Sequence, residues 1–104
     1  MIKNEIKNII TENLNKAFEE YDKYIRQNLI EVSLNSLKKN IDKLQKALKE
    51  KNKEEILFIT HTIKGIFLNT RCFDLSEEFN DSKLKSLSLD EIITKLTLSL
   101  KKII

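Results

Sequence analysis

Leu34-Asn35-Ser36-Leu37-Lys38-Lys39-Asn40-Ile41-Asp42-Lys43-Leu44-Gln45-Lys46-Ala47-Leu48 sets its large apolar residues at 34, 37, 41, 44 and 48. This three-four alternation gathers them on one side of an α-helix, as in the seam of a helix packed in a bundle. The helical period continues in both directions. Upstream it carries Ile2, Ile6, Ile9, Ile10, Leu14, Phe18, Tyr21 and Ile25, as one long helix or two, because Thr11 and Asn13 both fit an N-cap. The pattern loosens from Asn28 to Ser33, where a bend is expected. Downstream, Lys51-Asn52-Lys53 is a polar break. A helix starting near Lys53, with Glu54 and Glu55 complementing its dipole, is expected to run to about Asn69. Asn69-Thr70-Arg71 reads as the next turn, because asparagine tolerates the left-handed conformation that ends helices. A fourth helix then carries Cys72, Leu75 and Phe79 to about Lys85. The last opens with the capping-box spacing of Ser88 and Glu91 and carries Ile92, Ile93, Leu96, Leu100 and Ile103.

Composition narrows the class. At 104 residues the chain is expected to form a single domain over 1–104, since a second core would not fit. Hydrophobic residues at 40% and charged residues at 34% describe a packed domain rather than a disordered chain. With no proline and one glycine, few of the chain reversals that sheets need are on offer, so the fold class is all-α. The short connections favour antiparallel neighbours and an up-down bundle.

The net charge of +3 arises from 19 basic and 16 acidic residues mixed along the chain. The one dense run, the lysines at 38, 39, 43, 46, 49, 51 and 53, flanks the apolar seam and reads as a solvated helix face. Nucleic-acid binding would need a segregated basic face with stacking aromatics, so no nucleic-acid partner is expected. Cys72 stands alone, which leaves no intrachain disulfide and no metal-ligand cluster; neither metal nor cofactor is expected. The opening residues lack the apolar stretch of a signal peptide and no segment is long enough to span a bilayer. A cytoplasmic protein without a membrane partner is the expectation.

The only histidine and the only glycine lie four residues apart, in His61-Thr62-Ile63-Lys64-Gly65. Glycine in a helix interior costs roughly 1 kcal/mol relative to alanine, so its use here calls for a reason. At 100° per residue, Ile56, Ile59, Ile63, Ile66 and Phe67 share one side of their helix, and His61 lies about 170° from the centre of that stripe. Its neighbours on the outer side are Leu57, Lys64, Gly65 and Leu68. An outward imidazole, a cation on the same side and the space left by a missing side chain fit a histidine that carries an anionic group, a phosphoryl group foremost. Either the N-terminal helix covers that face, or Leu57 and Leu68 form an exposed apolar collar for a docking partner. No glycine-rich loop or aspartate-asparagine pair marks a nucleotide site, so the chain is expected to be no kinase by itself and no enzyme. Cys72 has no second histidine to serve it as a nucleophile. Glu77 and Glu78 read as solvated surface.

Thr60-His61-Thr62-Ile63-Lys64-Gly65 resembles the signature of histidine phosphotransfer domains, the intermediates of two-component phosphorelays. In that family lysine and glycine follow the histidine at the third and fourth positions, and a leucine follows near the fourteenth, where Leu75 stands. The stretch from Leu34 to Ile59 is also similar, and the likeness covers about half the chain. It implies an up-down antiparallel four-helix bundle, here with an additional N-terminal helix. It further implies that His61 is the phosphorylated residue, that Lys64 helps hold the phosphoryl group and that Gly65 leaves room for it. The implied partners are the receiver domain of a response regulator and a sensor histidine kinase, acting on a monomer. Family members usually carry small residues after the glycine, where Ile66, Phe67 and Leu68 are large. The turn position that is commonly glycine is Arg71, so Asn69 is expected to take over the turn.

Overall fold

A computed structural model describes all 104 residues. Helices make up 79% of the chain and there are no strands. In chain order they are α1 (Asn4–Ala17), α2 (Lys23–Glu50), α3 (Lys53–Asn69), α4 (Phe73–Glu78), α5 (Asp81–Leu84) and α6 (Leu89–Lys101). At 1.5 Å per residue the 28 residues of α2 span about 42 Å. That one helix accounts for the long axis of the molecule, which measures 46 Å against 22 and 20 Å across.

Each boundary has a local cause. Asp22 accepts a hydrogen bond from the Ile25 amide and caps α2, and Asn52 does the same for α3 through Glu55. Ser88 and Glu91 form the reciprocal capping box at α6 that their spacing predicts. At the end of α2, Lys51 adopts φ 55°, with its amide on the Leu48 carbonyl and the Asn52 amide on the Ala47 carbonyl. The end of α3 repeats this pattern. Arg71 takes φ 61°, its amide on Leu68 and the Cys72 amide on Phe67. Both ends are Schellman closures, which satisfy carbonyls that a helix otherwise leaves orphaned.

Several expectations are corrected here. The break in the N-terminal half lies at residues 18–22, not at Asn28–Ser33, through which α2 runs unbroken. Ile25 therefore belongs to α2. The apolar pattern loosens at 28–33 because α3, about 25 Å long, ends before the first turns of α2, and Tyr24, Ile25 and Val32 are left exposed there. Thr11 and Asn13 cap nothing, because α1 is continuous through them. Asn13 instead reaches across the molecule and donates to the carbonyls of Thr70 and Arg71. The left-handed residue of that turn is Arg71, while Asn69 remains helical. The expected fourth helix is interrupted at Phe79 and Asn80, which separates α4 from α5.

One contiguous core joins all the long helices. Leu37, Ile41, Leu44 and Ala47 of α2 meet Ile56, Ile59, Ile63 and Phe67 of α3, with Ile92, Leu96 and Leu100 of α6 and Ile6, Ile10 and Leu14 of α1. Phe67 and Phe79 are fully buried with ring centroids 5.7 Å apart. Burying such a ring contributes roughly 1.5–3 kcal/mol, so this pair fixes α4 against α3. The Lys3 amide bonds to the Ile103 carbonyl, and with the Asn13 contact this ties α1 to α6 and to the α3–α4 turn. No helix is long and apolar enough to cross a membrane.

Candidate functional site around His61

Helix α3 has an inner and an outer face. Ile56, Ile59, Thr60, Ile63 and Phe67 are buried, and the Thr60 hydroxyl satisfies itself on the Ile56 carbonyl at 2.6 Å. The opposite face carries Phe58, His61, Gly65 and Leu68, spaced three, four and three residues apart so that they stack in one outward stripe. The His61 side chain is 72% exposed. Phe58 at 71% and Leu68 at 39% are exposed on either side of it along the helix. Two large apolar side chains thus flank a solvent-facing histidine on a helix whose other face supplies the core.

The imidazole has one side-chain partner. Its Nδ1 lies 3.1 Å from Oδ1 of Asp81, the first residue of α5. Asp81 is itself only 23% exposed, so the carboxylate is the anchored partner and the ring the exposed one. Because Nδ1 faces the carboxylate, Nε2 is the ring nitrogen left to solvent. Lys64 is half-buried one turn further along and takes no part in the four ion pairs of the molecule. Its ammonium is uncommitted.

Gly65 occupies ordinary helical backbone with no positive φ, and a Cβ built there would meet nothing within 4 Å. Neither backbone conformation nor internal packing therefore requires glycine. The contrast with Lys51 and Arg71 is informative. Two left-handed positions where glycine would relieve strain carry long side chains, while the only glycine sits where the fold has no use for one. What glycine provides at 65 is space outside the helix, beside His61.

The structure thus brings His61, Lys64 and Gly65 to one surface, and Leu68 with them. Leu57 stands differently: it is half-buried and packs against the core, so the exposed apolar residue on the N-terminal side of the imidazole is Phe58. The same helical period that placed Leu68 would have placed Phe58, three residues before His61. Asp81 had no signal within its own segment, because it meets His61 only through the packing of α5 on α3. Elsewhere, Glu78 is not the solvated group its sequence implied. It accepts hydrogen bonds from Ser99 of α6 and from Lys102 just past its end, and the Lys102 contact chiefly, against some opposing desolvation, holds its carboxyl below the usual range. Cys72 is buried against Thr70 and Asn13, which removes it from surface chemistry. No cluster of three potential metal ligands forms anywhere in the chain.

Comparison of the chain with models of known families, with curated proteins and with solved structures finds no match.

Proposed function

We propose that the protein is a phosphocarrier that accepts a phosphoryl group on His61 and exchanges it with a receiver-domain aspartate in a two-component phosphorelay. The observation that carries this reading is the exposed imidazole held by Asp81, with an uncommitted lysine one turn along and open space at Gly65. In the same reading the C-terminal part of α2, with α3, α4–α5 and α6, forms an up-down antiparallel four-helix bundle, and α1 is the additional N-terminal helix. The protein acts as a cytoplasmic monomer between a sensor histidine kinase and a response regulator.

The chemistry asks little of this chain. Nε2 of His61 attacks phosphorus in line with the departing oxygen, and such transfer needs positioning and charge stabilisation above all. Lys64 supplies charge: at about 4 Å from a phosphoryl oxygen the attraction is roughly 1 kcal/mol in water, and several-fold larger once a docked partner excludes solvent. That is a modest contribution, so the catalytic aspartates and any metal ion belong to the partner. Phe58 and Leu68 give the partner apolar surface on both sides of the reacting nitrogen.

Incubation with a phosphorylated receiver domain is expected to give an acid-labile, base-stable phosphoprotein, and His61→Gln to abolish it. Label that persists in His61→Gln would refute the proposal. The exposure of Phe58 and Leu68 favours one second reading, an interaction module of the same fold that binds a signalling partner without chemistry. In that case His61→Gln would leave binding intact and Leu68→Asp would destroy it.

A further inference from the structure

We propose that Asp81 is a positioning residue that fixes His61 as its Nδ1–H tautomer and so makes Nε2 the nucleophile; this rests on the phosphocarrier reading. An ionised carboxylate can only accept hydrogen bonds. The 3.1 Å contact between Oδ1 and Nδ1 therefore places the ring proton on Nδ1 and the free lone pair on Nε2. Nothing else competes for either group. Asp81 has no lysine or arginine partner, because the neighbouring Lys83 pairs with Glu77, and Lys64 is unpaired.

The break in the chain at Phe79 and Asn80 has a purpose in this account. A single helix from Cys72 to Lys85 would have kept one rotational phase throughout. The interruption resets that phase, so that Asp81 opens α5 with its side chain against α3 while Phe79 remains in the core. Exposed ion pairs contribute little to stability, and this one need not contribute more. Two tautomers of one ring differ little in free energy, so a single charge-assisted hydrogen bond decides between them.

The charge on Asp81 also matters to the transfer itself. The Nε2 lone pair forms the N–P bond while the P–O bond to the receiver carboxylate breaks and its electron pair leaves with that oxygen. The proton on Nδ1 stays where it is. The product is an N-phosphoimidazolium whose ring charge faces the Asp81 carboxylate. In the reverse step an acceptor carboxylate attacks phosphorus and the N–P electron pair returns to Nε2, again with no proton to move. Asp81 thereby favours the cationic ring through which both directions pass.

The test uses the full chain labelled with ¹⁵N and observes the two ring nitrogens of the only histidine by NMR. In the wild-type protein at a pH where the ring is neutral, the Nδ1–H tautomer is expected to predominate. Asp81→Ala is expected to shift the population to Nε2–H and to slow loading from phosphoramidate by roughly tenfold. Asp81→Asn, which keeps an oxygen acceptor in the same shape, is expected to retain most of the tautomer and still transfer more slowly for want of the charge. An Nε2–H tautomer in wild type, or a tautomer unchanged in Asp81→Ala, overturns the role of Asp81. Failure of phosphoramidate to label a wild-type protein that holds the Nδ1–H tautomer overturns the phosphocarrier reading instead.

Discussion

Replacing Gly65 by alanine should make this protein more stable. The residue lies inside α3 in ordinary helical geometry, and the added methyl group meets no atom within 4 Å. Alanine exceeds glycine in helix propensity by roughly 0.5–1 kcal/mol, chiefly because glycine has more freedom to lose on folding. No packing penalty opposes that gain. For a domain of this size, about 1 kcal/mol corresponds to a rise of roughly 4–8 °C in Tm, so Gly65→Ala should melt about 2–8 °C higher. Thermal melts followed by circular dichroism, with urea unfolding to confirm an unchanged m-value, read this directly. Gly65→Leu should likewise stay folded, because its side chain extends into solvent. It should nonetheless lose phosphoryl exchange, since it fills the approach to His61. A Gly65→Ala protein less stable than wild type would show that glycine serves the backbone. A Gly65→Leu protein that still exchanges phosphate at the wild-type rate would show that the open space serves nothing.

Arg71→Gly should also stabilise, by about 0.5–1 kcal/mol, because a left-handed arginine bears a steric cost that glycine lacks; a lower Tm would contradict this. Phe67→Ala should cost about 3–5 kcal/mol in urea unfolding, as a fully buried ring is lost from the α3–α4 contact, whereas Phe58→Ala should stay within about 0.5 kcal/mol of wild type and weaken partner binding. Glu78→Gln should lower Tm at neutral pH. The hydrogen bond from Lys102 holds the folded carboxyl below its ordinary value of 4.5, so its stabilisation is full above that value and is lost as pH falls through the folded one. The gap in Tm between wild type and Glu78→Gln should therefore close on acidification below 4.5, and a gap that widens there would contradict the assignment.

Much of the fold is legible because it is periodic. The seam from Leu34 to Leu48, the start of α3 near Lys53 and the Ser88–Glu91 cap are each written within a few neighbouring residues, and each is found where the period and the cap chemistry place it. The features that were not legible depend on what lies alongside. The apolar pattern at 28–33 loosens because α1 lies along that part of α2 while α3 ends short of it, which a one-dimensional reading takes for a bend. Asn13 has the chemistry of a cap and spends it on a turn 57 residues away in sequence. Arg71 is left-handed because the carbonyls of Phe67 and Leu68 are closed there and Asn13 holds the turn, constraints that outweigh a side-chain preference for Asn69. At the site, the outward direction of His61, Lys64 and Gly65 follows from the 100° step alone. Asp81 could not be read, because the break before α5 that orients it has no proline or glycine to announce it.

The reaction at one nitrogen is the most direct test of the account. The full chain, mixed with a phosphorylated receiver domain and kept at alkaline pH, can be mapped residue by residue by mass spectrometry. The expected result is a single phosphoryl group on His61 that disappears when fresh unphosphorylated receiver domain is added. A protein that binds the receiver domain yet never carries phosphate on His61, or carries it on a serine or threonine instead, would contradict the phosphocarrier account.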